Sequence, residues 1–180
     1  MDLQDFEGQD MYFDSALPPK VEALIEQAAE GYGAGEAETP LLQAFMLASD
    51  NLMVHVALYR FYYYQHRYQD ALFIADKAME SAGKVLDLPR DWRDLKMDHM
   101  GMAAMQSMGM LRFYLLAMKG AGYLNLRLGN IQASIEILNK LVALDMKNRL
   151  GADMLLDIAK GKIIEDIAEQ SENVVRLHQY

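Results

Sequence analysis

The chain has no cysteine among its 180 residues. Disulfide scaffolds, thiolate metal sites and cysteine nucleophiles are therefore excluded, and the absence fits a reducing compartment. Long apolar runs are missing as well: no stretch reaches the ~18 uncharged apolar residues of a membrane span. The chain opens with Asp2, Asp5, Glu7 and Asp10, the reverse of the positive start of a secretory signal. A cytoplasmic protein with no membrane association is expected. Net basic charge is also lacking. With a formal charge of −9 there is no excess of cations to neutralise phosphates, and nucleic acid is not an expected partner.

The usual signatures of catalysis are absent too. His55, His66, His99 and His178 show neither His-Glu-x-x-His nor Glu-x-x-His spacing, so helical zinc and di-iron sites find no support. His55 and His66 lie three helical turns apart, too far to share a ligand. Gly161-Lys162 has no phosphate-loop context. Glu165, Asp166 and Glu169 read as a solvated helix face. The expectation is a non-enzyme with no cofactor and no resident metal.

What is present begins with the placement of charge. Residues 1–38 hold ten acids against the single base Lys20, while the rest of the chain has 16 acids and 16 bases. The whole negative excess sits at one end. Residues 1–17 read as an acidic, flexible tail that also carries Phe6, Met11, Tyr12, Phe13 and Leu17. Such a tail could lie across the protein's own binding surface and compete with a partner.

From Gly122 to Asp145 the pattern is sharp. Tyr-Leu-x-Leu-x-Leu is an amphipathic helix end. Gly129 is free to take positive φ, and Asn130 offers a side-chain oxygen to cap the next helix. Ile131, Ile135, Leu138 and Leu141 then recur at three- and four-residue steps, one buried stripe. A hairpin this short cannot bury its apolar face alone, and similar units occur at 18–51 and 52–85, with 115–148 the most regular. Pro40 falls within the first unit. With Thr39 as cap and Pro40 at the first helical position, its second helix starts late. Residues 86–114 form an insertion. Pro89 stops the preceding helix at about Leu88, Asp91 can cap a new one, and 92–127 is either one helix or two with a bend near Gly101 or Gly109. Residues 149–170 read as a closing helix and 171–180 as a frayed end.

These units resemble the tetratricopeptide repeat family, whose unit is about 34 residues in two antiparallel helices. In 52–85, Leu58-Tyr59 and Tyr62 stand at the family's Leu-Gly and aromatic positions, and Ala71 and Ala78 at its small positions. In 115–148 the matches are Ala121-Gly122, Leu128-Gly129-Asn130, Ser134, Leu138 and Leu141. In 18–51 they are Ala37, Leu41 and Ala44. The resemblance implies an all-α, right-handed superhelix of about three hairpins over 18–170. Such folds hold segments of other proteins along a concave groove lined by the first helix of each unit.

Carried onto this chain, the groove positions are Met53, Val56, Arg60, Tyr63 and Tyr64 in the second unit. In the third they are Leu116, Lys119, Tyr123, Leu126 and Arg127. Tyrosine gives large contact area at low entropic cost, and arginine forks suit carboxylates. An acidic and apolar peptide is the expected ligand. The tyrosines at 62–64 could equally pack the core, but three consecutive helical residues cannot all face one way. Val56 and Gly120 stand where some family members place polar groups that clamp a C-terminal carboxylate, so that mode of capture is not expected.

Met97, Met100, Met102, Met105, Met108 and Met110 crowd into fourteen residues. Thioethers bind Cu(I), yet helical residues two apart diverge, and methionine is more often an adaptable filler or interface residue. The reading is therefore a protein-binding adaptor. The alternatives are a chaperone like the class II type III secretion chaperones, masking apolar client segments, and a methionine-based copper-handling protein. Apolar surface left open at 97–110 would also allow a symmetric homodimer.

Overall fold

The computed structural model describes residues 17–177, with side chains described through Ile164 except at Ala34. The expected tail, Leu17 excepted, and His178 lie outside the described residues, as do the side chains of Glu165, Asp166 and Glu169. The fold is all-α, with no strand among the described residues. Among the described residues eight α-helices follow one another: α1 Pro19–Glu30, α2 Glu38–Leu47, α3 Leu52–Tyr64, α4 Tyr68–Val85, α5 Met97–Gln106, α6 Met108–Arg127, α7 Ile131–Leu144 and α8 Ala152–Leu177. Short 3₁₀ turns occupy Tyr32–Ala34 and Trp92–Asp94. None of the described helices is long and apolar enough to cross a membrane.

Each helix packs against its neighbour in the chain, except that α4 packs directly on α6 and passes over α5. The result is a series of antiparallel hairpins, α1/α2, α3/α4 and α6/α7, with α8 on α7. One continuous core runs through them, and its largest fully buried side chains include Tyr59, Phe113, Met118 and Leu138. Burying a side chain of that size stabilises by about 1.5–3 kcal/mol.

The ends of the helices repeat a single device. In α6, the Gly129 N–H donates to Leu126 O at 3.2 Å and the Asn130 N–H to Asn125 O at 2.9 Å, with Gly129 at φ +79°. In α3, the His66 N–H donates to Tyr63 O and the Arg67 N–H to Tyr62 O, with His66 at φ +57°. In α4, Asp87 at φ +51° and the Leu88 N–H to Gly83 O do the same. These are Schellman endings, which satisfy the last carbonyls of a helix and reverse the chain. The connections 65–67 and 128–130 are consequently equal in length.

Several local expectations are corrected. Asn130 makes no side-chain cap, because its side-chain amide donates instead to Asn125 Oδ1 at 3.2 Å. Helix α2 starts at Glu38 with Ala37 as its N-cap, so neither Thr39 nor Pro40 stands at the expected place. Pro40 is the third helical residue, where the missing amide has no intrahelical acceptor to lose. Helix α4 ends at Val85, three residues before Leu88, since Asp87 turns left-handed. The Asp91 carboxylate caps only the 3₁₀ turn, accepting from Arg93 N at 2.9 Å. The stretch 92–127 divides at Ser107, at φ −160° and ψ 106°, rather than at a glycine. Ser107 Oγ accepts from Met110 N at 3.2 Å and starts α6 afresh. The closing helix begins at Ala152 and continues to Leu177, through residues expected to fray.

Small residues set the closeness of the third hairpin. A Cβ added at Gly122 would lie 2.7 Å from Leu138 Cδ2 and 3.1 Å from Ile137 Cγ2. Beside it, the buried Ser134 hydroxyl donates to Gly122 O at 2.8 Å. Gly122→Ala should therefore destabilise by about 1–3 kcal/mol through overpacking. Gly101→Ala, where the new methyl meets nothing within 4 Å, should stabilise by about 0.5–1 kcal/mol through helix propensity. Urea unfolding of the two variants checks the contrast.

His55 is fully buried at the start of α3, its Nε2 2.7 Å from Ser49 O, and its Nδ1 has no partner. Burial holds its pKa below the ordinary value of 6.5, against the pull of the Ser49 carbonyl and of Asp50 and Glu80. The unfolded chain takes up a proton below about pH 6.5 that folded His55 resists, so this site's contribution is present above that pH and lost on acidification. The urea midpoint should fall between about pH 7 and about pH 5, and fall less in His55→Gln.

Candidate functional site

The C-terminal ends of α3 and α6, with the first residue of α4, gather an aromatic and cationic cluster. Tyr63 is at its centre. Its ring stacks on Tyr59 at 6.1 Å and meets Tyr64 at 5.7 Å, Tyr68 at 6.1 Å and Tyr123 at 6.0 Å. The Tyr63 hydroxyl donates to the Tyr123 hydroxyl at 3.4 Å. From the last turn of α6, Arg127 Nη1 donates to Tyr123 Oη at 2.8 Å, while its guanidinium lies 4.6 Å from the Tyr68 ring centroid. Tyr68 Oη is 2.9 Å from His66 Nδ1. The Schellman endings of α3 and α6 bring these side chains to one edge of the hairpins.

Beyond Tyr123 the surface opens into a cavity of about 540 Å³ between α6, the start of α7 and α8. Leu126, Ile131, Leu155 and Ile158 line it with apolar surface, and Arg127 and Lys162 bring cations to it. A site of this size, with apolar walls and a few polar groups, suits a side chain or a short segment of a ligand.

The groove positions divide by burial. Met53, Arg60 and Tyr63 are half-buried, and Tyr64 is 58 % exposed. With Ala57 they are the open face of α3, whose remaining residues are in the core. Tyr32 packs its ring edge on Phe61 at 5.8 Å and its hydroxyl donates to Arg60 O at 3.5 Å, and burial raises its pKa. On α6, Tyr123 and Leu126 are half-buried and Arg127 is exposed.

Val56, Leu116 and Lys119 are not on an open surface. Val56 and Leu116 belong to the core, and Lys119 is 4 % exposed. The Lys119 ammonium donates to Leu150 O at 2.5 Å, so it ties α6 to the segment leading into α8. Burial of a charge is tolerated only with such partners. Tyr68, Ile131, Leu155, Ile158 and Lys162 were outside the expected set. The signal was available: Tyr68 and Ile131 each begin the second helix of a hairpin, and Leu155, Ile158 and Lys162 share one stripe of α8.

Of the methionines, Met100 is buried and Met110 half-buried, whereas Met97, Met102, Met105 and Met108 are exposed. Among the described residues no group of three or more histidine, aspartate or glutamate side chains could hold a metal ion.

Fold and surface together define an all-helical hairpin protein with an aromatic–cationic edge that opens onto an apolar cavity. No family model matches the chain, and no solved structure matches it. Over 158 residues it is 53 % identical to an "Uncharacterized 19.8 kDa protein in nifW 5′ region" of Azotobacter chroococcum mcd 1, with 88 % of each chain covered. The chain belongs to the family of that protein.

The two kinds of cation on α6 should respond differently to removal. Lys119→Ala leaves a void and a carbonyl without its donor, and should lower stability by about 2–3 kcal/mol. Arg127→Ala, at an exposed cation–π site, should change it by about 1 kcal/mol or less. Chemical unfolding midpoints measure both.

Proposed function

We propose that this chain is a non-catalytic adaptor of the tetratricopeptide type, working in the cytoplasm, that holds a peptide segment of another protein. In this reading α1/α2, α3/α4 and α6/α7 are its repeats, α8 closes the stack, and the hairpins wind into a right-handed superhelix. The alternation of packing within hairpins and between them, α2 on α3 and α4 on α6, supports it. The observation that carries the reading is the edge formed by Tyr63, Tyr68, Tyr123 and Arg127 where it opens onto the α6–α8 cavity.

The chemistry of that edge selects the ligand. Arg127 and Lys162 favour carboxylates, Leu126, Leu155 and Ile158 take an apolar side chain, and Tyr64 offers a rigid flat contact. An acidic segment with one large apolar residue fits best. A chaperone reading has its own support in the exposed apolar side chains Met46, Leu47, Met102 and Met105, which would suit an unfolded client. The relative's name places its gene in a nifW 5′ region, so the nifW product is a rational first bait.

Peptides selected from a random library against the full chain should be acidic and apolar. They should bind about tenfold more weakly to Arg127→Ala and to Ile158→Asp, and equally well to Met105→Ala. Selected peptides indifferent to both substitutions would refute the adaptor site. Preference for an unfolded protein over any short peptide would favour the chaperone reading.

A further inference from the structure

A second cavity lies apart from that edge, between α4, the 88–94 segment and α6. Its volume is about 940 Å³. Residues 88–94 are held in place as its wall. Lys140 Nζ of α7 donates to Arg93 O at 2.6 Å, Arg93 Nη2 reaches Glu136 at 3.4 Å, and the Arg93 guanidinium covers one face of Trp92 at 4.3 Å. The floor is Tyr114 of α6, 3 % exposed. Gly83 admits its ring, since a Cβ there would stand 3.3 Å from Tyr114 Cε2. The Tyr114 side chain lines the cavity, and its hydroxyl makes no hydrogen bond among the described residues. Burial, with Asp91 nearby, pushes its pKa up to about 12, so the phenol stays protonated.

The charges around the cavity are unequally committed. Arg93 is paired with Asp91 and Glu136, and Lys84 with Glu80 at 3.2 Å. Asp76 and Asp94 also line the cavity, and among the described residues neither forms an ion pair. Desolvation at the wall raises Asp76 above its ordinary value, with Lys77 only partly opposing it, although the residue as a whole is exposed. Among the described residues Arg90 is the lining cation for which no ion pair is formed, so the uncommitted charge there is net negative.

We infer that this cavity binds a basic group, a guanidinium or alkylammonium, through Asp76, Asp94 and the Tyr114 hydroxyl, with the carbon stem against Trp92. A cation's N–H groups find acceptors there at the two carboxylates and at the phenol oxygen. Either a small amine or the arginine side chain of a partner polypeptide supplies that chemistry. The site is independent of the adaptor reading.

Trp92 is the only tryptophan and lines the cavity, so its fluorescence reports occupancy. Titration of the full chain with agmatine should give a saturable change. Binding should weaken about tenfold in Asp76→Asn and severalfold in Tyr114→Phe, which preserves the ring, while Arg127→Ala leaves it unaltered. A capped tripeptide centred on arginine separates the sources: tighter than agmatine indicates a partner's side chain, weaker a small amine. No saturable change with either probe, an equal change in Asp76→Asn, or a response to inorganic phosphate in place of agmatine would each overturn the inference.

Discussion

The fold depends on α6 being enclosed on almost every side. From Leu116 to Gly122 every residue is buried, so two full turns of this helix have no solvent face. Helix α4 packs on it from one hairpin and α7 from its own, with α5 and α8 adding to the cover. A helix can be surrounded in this way only if it is apolar all round and thin where it is crossed. Ala117, Gly120, Ala121 and Gly122 supply the thinness, and Leu138 fills the space that a Cβ at Gly122 would occupy. Lys119 is the exception that this enclosure tolerates, because its ammonium reaches the Leu150 carbonyl. Register between hairpins follows from that seat: α4 and α7 take their places against α6.

The spacing of apolar residues made the helices and their pairing legible, because helical periodicity is a local property of the chain. Gly129 was legible for the same reason, since a left-handed helix end strongly favours glycine. The matching ends at His66 and Asp87 were not. A non-glycine residue enters that conformation only when the surrounding bonds require it, and those bonds depend on tertiary packing. The Asn130 cap failed in a similar way. Its backbone amide was already drawn into the Schellman ending, and its side chain found Asn125 instead. The division at Ser107 was hidden because a serine can sit within a helix or cap one, and only its extended backbone in the folded chain decides between them.

The candidate surface was half legible. The repeat register places Met53, Arg60, Tyr63, Tyr64, Tyr123, Leu126 and Arg127 on the open or half-open faces of α3 and α6. It fails at Val56, Leu116 and Lys119, which lie nearer the middle of the two helices. There the neighbouring helices and the segment entering α8 close over positions that a more open array would leave exposed. The surface is therefore displaced toward the C-terminal ends of α3 and α6. That displacement brings Tyr68 and the α8 residues to the same surface, since the end of α3 adjoins the beginning of α4 and the end of α6 adjoins the beginning of α7 and the flank of α8.

Residues 86–107 interrupt the hairpin order, yet they are firmly attached, by Lys140 and Glu136 to the 88–94 segment and by Gln106 Nε2 to Val85 O at 2.7 Å. Helix α6 begins at Met108, seven residues before the unit expected over 115–148. Tyr114 belongs to that first part of α6, so the floor of the larger cavity is built where α6 leaves the 86–107 segment. Tyr123 and Arg127 belong to the regular part of the same helix. At about 1.5 Å per residue, Tyr114 and Tyr123 are roughly 14 Å apart along the α6 axis. Sites separated by that distance and sharing no partners respond to substitution nearly additively. One enclosed helix thus carries two chemically opposite surfaces: a cationic, aromatic edge at its C-terminal end, where the α3/α4 and α6/α7 hairpins meet, and an acidic, tyrosine-floored cavity nearer its start, walled by the 88–94 segment.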